Sequence, residues 1–269
     1  MVSIVLPRLA GVAAPARRSV AVAGRNVVAL RSAYWLVLIS GFIEPLLYLL
    51  SIGVGVGALI GDLALPGGGL VPYATFVAPA MLASSAMSGA LAETTFNFFG
   101  KMKYMKLYDG IIATPVQPFE IALGELGWAM VRGSLYSAAF LGVMVAMELA
   151  GPARALTAFP AAVLVGFAFG ALGMALSTFM RSWQDFDLVN VVQFALFLFS
   201  GTFVPAEAYP AALRWVVEVT PLYRAVDLIR VITLGGDGWR YLVDVLYLLG
   251  VTVLGLAVAS RRMGRLLCK

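Results

Sequence analysis

ALTAFPAAVLVGFAFGALGMALSTFM, residues 155–180, contains no charged side chain. A helix rises ~1.5 Å per residue and the hydrocarbon core of a bilayer is ~30 Å thick, so ~20 apolar residues can cross it. Residues 188–206 are likewise uncharged, 32–61 carry only Glu44, and 241–260 carry only Asp244. Residues 63–92 are uncharged too, but Pro66, Gly67, Gly68, Gly69 and Pro72 make their start a turn and leave a span from about Tyr73. A further span runs from about Ile121 to Met147 and carries Glu125 and Arg132. The expectation is an all-α integral membrane protein with six transmembrane helices, forming a single transmembrane domain over 1–269.

Composition agrees. The chain is 61% hydrophobic and 12% charged, whereas roughly a quarter of the residues of a soluble domain are charged. The N-terminus lacks a basic region leading into a compact apolar core and a small-residue cleavage site, so no cleavable signal peptide is expected. There is no His, and the single cysteine, Cys268, lies in a basic tail. Neither metal chemistry nor an internal disulfide is expected, and the cysteine should be cytoplasmic and reduced.

Orientation follows from the cations. With six spans both termini share a side. Arg8, Arg17, Arg18, Arg25, Arg31, Lys101, Lys103, Lys106, Arg181, Arg261, Arg262, Arg265 and Lys269 fall on that side. Only Arg154, Arg214, Arg224, Arg230 and Arg240 fall on the other, with Arg132 inside a span. Both termini are therefore expected in the cytoplasm.

One connection concentrates charge. ETTFNFFGKMKYMKLYDGIIATPVQPFEIALGE, residues 93–125, holds Lys101, Lys103 and Lys106 between two apolar segments. Thr114-Pro115 can end a helix there and fix the turn. A charged, aromatic-bearing connection on the cytoplasmic side offers a partner something to hold.

Three other stretches carry information. Val20, Ala23, Val27 and Leu30 recur at helical spacing opposite Arg18 and Arg25, which suits a helix lying in the membrane interface over 13–31. In EPLLYLLSIGVGVGALIG, from Glu44, Pro45 invites a kink, and Gly53, Gly55 and Gly57 allow close helix approach. No strand precedes these glycines, so they do not form a dinucleotide loop. Residues 201–239 have apolar pieces too short to cross; short helices re-entering the outer leaflet over 205–232 fit best, with Trp215, Tyr223 and Trp239 at the interface. Within them Asp227 and Arg230, three apart, can pair on one helix face.

Glu44, Glu125 and Arg132 sit where charge is costly, at least ~2.5–3.5 kcal/mol at the centre of a span. Glu125 and Arg132 are seven apart and share a face. Glu44 and Arg132 should face protein, and Glu93 and Glu125 are rival partners for Arg132. Ion pairs that lock helices, a role in a substrate path or gate, and a proton relay remain open for these groups. A P-loop is missing, because Gly100-Lys101 is followed by Met102 and lacks the upstream glycine. If transport is driven by ATP, another chain hydrolyses it.

Five motifs in order make the chain resemble a type-2 ABC exporter permease, closest to the branch of nodulation lipo-oligosaccharide and daunorubicin-type drug exporters. They are EPLLYLLSIGVGVG, ETTF with MKYMKLYDGIIATPV, IALGELGW, LFLFSGTFVP and TPLYRAVDLIRVITLG, covering nearly the whole chain. The resemblance implies a permease that pairs with a second permease and two ABC ATPase subunits, which carry ATP and Mg; this chain then has no catalytic residues and no cofactor. It implies that 101–116 is the coupling helix, with Lys101, Lys103, Lys106, Tyr108, Asp109, Thr114 and Pro115 meeting the ATPase. It implies that 13–31 is the connecting helix and 205–232 the re-entrant helices carrying Asp227 and Arg230. Glu44, Glu93, Glu125 and Arg132 become transport-path or gating candidates. Phe96, Phe98, Phe99, Phe167, Phe169, Phe194, Phe197 and Phe199 are candidates to line a channel, with a lipid-facing place as the alternative. Membrane lipids are expected partners and nucleic acid is not; the location is the bacterial cytoplasmic membrane.

Two other classes compete. An intramembrane enzyme lacks any His/Asp/Cys constellation or metal pair here. An ion-coupled transporter often shows inverted repeats, and none is visible.

Overall fold

The computed structural model describes residues 49–64, 69–236 and 238–267, together with Ser19, Val22, Gly24, Ile43, Leu46 and Leu47. Glu44, Pro45, Cys268 and most of 13–31 lie outside the described residues. Helix α1 covers Leu49–Ile60. It runs into an antiparallel ribbon of β1 (Asp62–Ala64) and β2 (Leu70–Pro72), with Asp62 opposite Pro72 and Leu63 opposite Val71. The two strands flank the stretch expected to be a turn, of which residues 65–68 lie outside the described residues. Of the three first-span glycines, Gly53 and Gly57 face Ala74 and Tyr73 of the next helix.

Helix α2 runs over Tyr73–Tyr104 and is followed by the short α3, Leu107–Ile112. Helix α4 covers Pro118–Ala146 and α5 covers Pro152–Ser177. Both begin with proline at the first turn, where a missing N–H costs nothing. Gln117 and Glu120 cap α4 reciprocally, Glu120 Oε2 accepting from the Gln117 N–H at 2.8 Å. Helix α6 spans Asp185–Leu198, α7 Ala211–Val219, α8 Pro221–Leu234 and α9 Gly238–Leu267.

Four of these, α2, α4, α5 and α9, are long and apolar enough to cross a membrane. They coincide with four of the six expected spans. The expected fifth, 188–206, is helical only to Leu198; Gly201 then adopts φ +66°, a left-handed conformation that breaks the helix. At 14 residues α6 reaches ~21 Å, short of a bilayer core. Its Leu188, Val191, Val192 and Phe194 are exposed, and one hydrogen bond, Gln193 Nε2 to Ser88 Oγ at 2.9 Å, joins it to α2.

Helix α5, which contains the charge-free 155–177, is the hub, packed against α2, α4, α8 and α9. In lipid, helices associate through close packing rather than through water exclusion. Gly255 of α9 shows how close: a Cβ there would stand 2.7 Å from the backbone carbonyl carbon of Ala171. Gly124 of α4 does the same for the N-terminal segment, since its Cβ would stand 2.7 Å from the Ser19 carbonyl oxygen. Val22 is buried against that same notch.

Candidate functional site

The charges of α2 and α4 meet along one antiparallel seam. Arg132 Nη1 donates to Glu93 Oε2, and its Nη2 donates to the Tyr136 hydroxyl at 3.2 Å. Asn97 Nδ2 donates to the same Glu93 oxygen at 2.6 Å. Two turns nearer α3, Lys101 Nζ meets Glu125 Oε2 at 2.7 Å. The four side chains are 8% (Glu93), 18% (Arg132), 17% (Lys101) and 4% (Glu125) exposed. Removing one member of either pair would strand a largely desolvated charge, which costs more than the pair itself contributes. Arg132 thus has Glu93 as its partner, and Glu125 takes Lys101.

Glu93 and Lys101 are eight residues apart, whereas Glu125 and Arg132 are seven. The extra residue is absorbed by a wide turn in α2 over Glu93–Asn97, and a second wide turn follows over Gly100–Tyr104; at the end of each an N–H reaches back five residues. The Phe98 N–H donates to the Glu93 carbonyl, and the Met105 N–H to the Gly100 carbonyl at 3.0 Å. Where the winding changes, Thr94 and Thr95 hydroxyls bond back to the Ala90 and Leu91 carbonyls at 2.8 and 2.5 Å.

The expected coupling residues divide into two sets. Lys101 is in the seam. Lys103 Nζ donates to the Arg181 carbonyl at 3.0 Å. Tyr108 is fully buried, its ring 5.3 Å from that of Phe98, so it supports α3 from beneath and offers no surface to a partner. Lys106, Asp109, Thr114 and Pro115 are exposed. Lys106 holds φ +48°, marking the sharp change of direction between α2 and α3. The Thr114 hydroxyl donates to the Ile111 carbonyl at 2.5 Å and closes α3.

Beside α3 the ring of Trp183 stacks on Tyr104, centroids 5.4 Å apart and planes 10° apart, and packs against Phe96, Phe99 and Phe186. The Asp185 carboxylate fixes the turn that presents Trp183 by accepting the Arg181 and Ser182 N–H groups at 2.7 and 3.3 Å. Those backbone bonds hold its carboxyl below its usual value. Of the eight phenylalanines considered as channel lining, Phe98, Phe99 and Phe169 are buried in the core and line nothing. Phe194 and Phe199 are exposed.

At the opposite end, no ion pair joins Asp227 to Arg230. Arg230 instead donates to the Phe76 and Thr202 carbonyls at 3.3 and 3.1 Å and stacks over the Phe76 ring at 3.7 Å. Its neighbours in space outcompete the short-range partner. Two contacts were not foreseen from sequence: Arg224 with Asp244 at 3.3 Å, and Arg154 Nη1 donating to the Thr233 carbonyl at 2.9 Å. The lone acid in 241–260 was the available signal for the first.

Residues 19–234 match the family described as ABC-2 type transporter. The chain is 32% identical to Nodulation protein J of Rhizobium leguminosarum bv. trifolii over 217 residues, 80% of this chain and 81% of that protein. It is 30% identical to Nodulation protein J of Rhizobium meliloti (strain 1021), over the same shares. Nodulation protein J of Rhizobium leguminosarum bv. viciae is 30% identical over 78% of this chain and 80% of its own length. With its apolar spanning helices and this match over most of its length, the chain belongs to the ABC-2 type transporter family as a multi-pass membrane transport subunit.

Proposed function

We propose that the chain is the transmembrane subunit of an ATP-driven exporter, moving an amphiphilic cargo such as a glycolipid, a lipid-linked glycan or a hydrophobic drug out of the cytoplasm or inner leaflet. Family membership carries the proposal. The exposed Asp109 on the short α3, flanked by the exposed Lys106, Thr114 and Pro115 and joined to the charged seam through α2, supports α3 as the segment an ATPase grips. Two ABC ATPase subunits supply ATP and Mg chemistry, and a second permease completes the pore. The bias of cations supports a bacterial cytoplasmic membrane location with both termini and α3 in the cytoplasm. Six spans follow if 32–61 and 188–206 complete the bundle, with 205–232 re-entering from outside.

Glu93, Arg132, Glu125 and Lys101 border the route or gate, and Glu44 is assigned to the same protein-facing side. The test is co-expression with ABC ATPases from the same genome, followed by purification in detergent and reconstitution. Co-purification and permease-dependent stimulation of ATP hydrolysis are expected. An ATPase that neither co-purifies nor responds to the permease would overturn the proposal.

A further inference from the structure

We propose that the wide turn at Glu93–Asn97 is a one-residue winding switch, and that Lys101–Glu125 is the latch reporting its state. This rests on the exporter reading above.

The geometry is set by the unequal spacings. In a regular α-helix, seven residues sweep about 700°, about 20° short of two full turns, so Glu125 and Arg132 share a face of α4. Eight residues sweep about 800°, which would leave Lys101 about 80° off the face that carries Glu93. The wide turn between them holds the surplus residue and brings Lys101 back onto the seam. The Lys101–Glu125 pair therefore exists only in the wide-turn winding.

Rewinding that turn to an ordinary α-turn rotates everything beyond it by about 100° and moves it about 1.5 Å along the axis. Gly100, seven past Glu93, then takes the seam position and Lys101 leaves it. Glu93 lies at the start of the turn and keeps its bonds from Arg132, so the span above stays anchored. The rotating portion runs into Lys106 and α3. Against it lie the ring faces and edges of Trp183 and Phe186, with the Lys103–Arg181 carbonyl bond to be broken. Phe98, Phe99 and Met102, buried in the core, turn with it and must repack, so the motion needs the work of a bound ATPase. A pull on α3 is thereby delivered to the bundle as a screw motion, with Lys101 and Glu125 acting as positioning residues.

The test uses cysteine pairs in a Cys268→Ser background, in the complex with its ATPase. One protein carries Lys101→Cys and Glu125→Cys, the other Gly100→Cys and Glu125→Cys. A side chain at 100 meets only an ordinary contact, 3.6 Å from Trp183, and Lys101→Gln is added to this protein so that the loss of Glu125 strands no charge. Oxidative cross-linking should favour the 101–125 pair without nucleotide and shift to 100–125 with ATP and vanadate. Cross-linking at 101–125 alone in every state overturns the switch and leaves the exporter reading intact.

A second variant separates a switch from a static bulge. Deleting Asn97 removes the wide turn at Glu93–Asn97, leaves the one at Gly100–Tyr104, and sets Glu93 and Lys101 seven apart so that both ion pairs are retained. The switch requires that this protein assemble with the ATPase yet lose nearly all permease-dependent stimulation; normal stimulation overturns it. If no ATPase associates at all, the exporter reading fails, and the switch is then decided in the isolated chain. Any 100–125 product there upholds it and none refutes it.

Discussion

Arg224 of α8 and Asp244 of α9 meet at 3.3 Å, and Asp244 is fully buried while one of its oxygens accepts no hydrogen bond. The pair pins the amphipathic α8 to the long α9 at the end remote from α3. Removing Arg224 would leave Asp244 as a stranded carboxylate.

Arg224→Ala should therefore cost about 3–5 kcal/mol, and the double variant Arg224→Ala/Asp244→Asn appreciably less than the two single losses added. Thermal unfolding in detergent followed by size-exclusion fluorescence would measure this. Additive losses would show that the pair contributes nothing as a pair.

Glu93 and Arg132 allow a stricter version of the same test. Arg132→Gln should lower stability by several kcal/mol because Glu93 stays behind in a nearly water-free seam. Adding Glu93→Gln to that variant should restore part of the loss. Melting temperatures of the three proteins, compared at one detergent concentration, give the coupling directly; a double variant no better than Arg132→Gln would deny it.

Tyr108 and Asp109 are adjacent in sequence and differ sharply in consequence. Tyr108→Ala empties a buried site packed on Phe98 and should cost about 3–5 kcal/mol. Asp109→Ala should change stability by less than about 0.5 kcal/mol. Only the second can weaken ATPase association without unfolding the permease. A pull-down paired with a melting curve separates the two effects, and an unstable Asp109→Ala protein would contradict the assignment.

Gly255→Ala should destabilise by about 1–3 kcal/mol or more, because the new methyl meets backbone rather than a yielding side chain. Gly250→Ala, on the same helix with open space around it, serves as the control and should be neutral or mildly stabilising. Equal melting temperatures for the two variants would mean that α5 and α9 are not closely packed.

Much of the bundle was legible because spanning length and absence of charge are direct physical requirements. The start at Tyr73 follows from a proline-marked turn and α5 from its uncharged run, whereas α4 and α5 begin at Pro118 and Pro152, three residues ahead of the expected Ile121 and Ala155. The candidate site was legible only in its membership. Glu93, Lys101, Glu125 and Arg132 all stood out as charges near or within apolar segments, but their pairing depends on a wide turn that periodicity does not announce. Assuming 100° per residue puts Lys101 on another face. Tyr108 read as a partner contact because it sits in a charged connection, yet its burial depends on Phe98, ten residues earlier. The Asp227–Arg230 pairing failed for a related reason: Phe76 and Thr202 approach Arg230 through the tertiary fold, where a local rule has no view.

The notch at Gly124 also dictates an order of assembly. Ser19 and Val22 leave the ribosome about a hundred residues ahead of the glycine that receives them. At about 5–20 residues per second this segment must wait roughly 5–20 seconds before its seat exists. Throughout that interval Ser19 and Val22 lack the Gly124 notch that later receives them. The contact of Ser19 and Val22 with α4 can therefore form only when the fourth helix arrives, after α1 and α2 have been made.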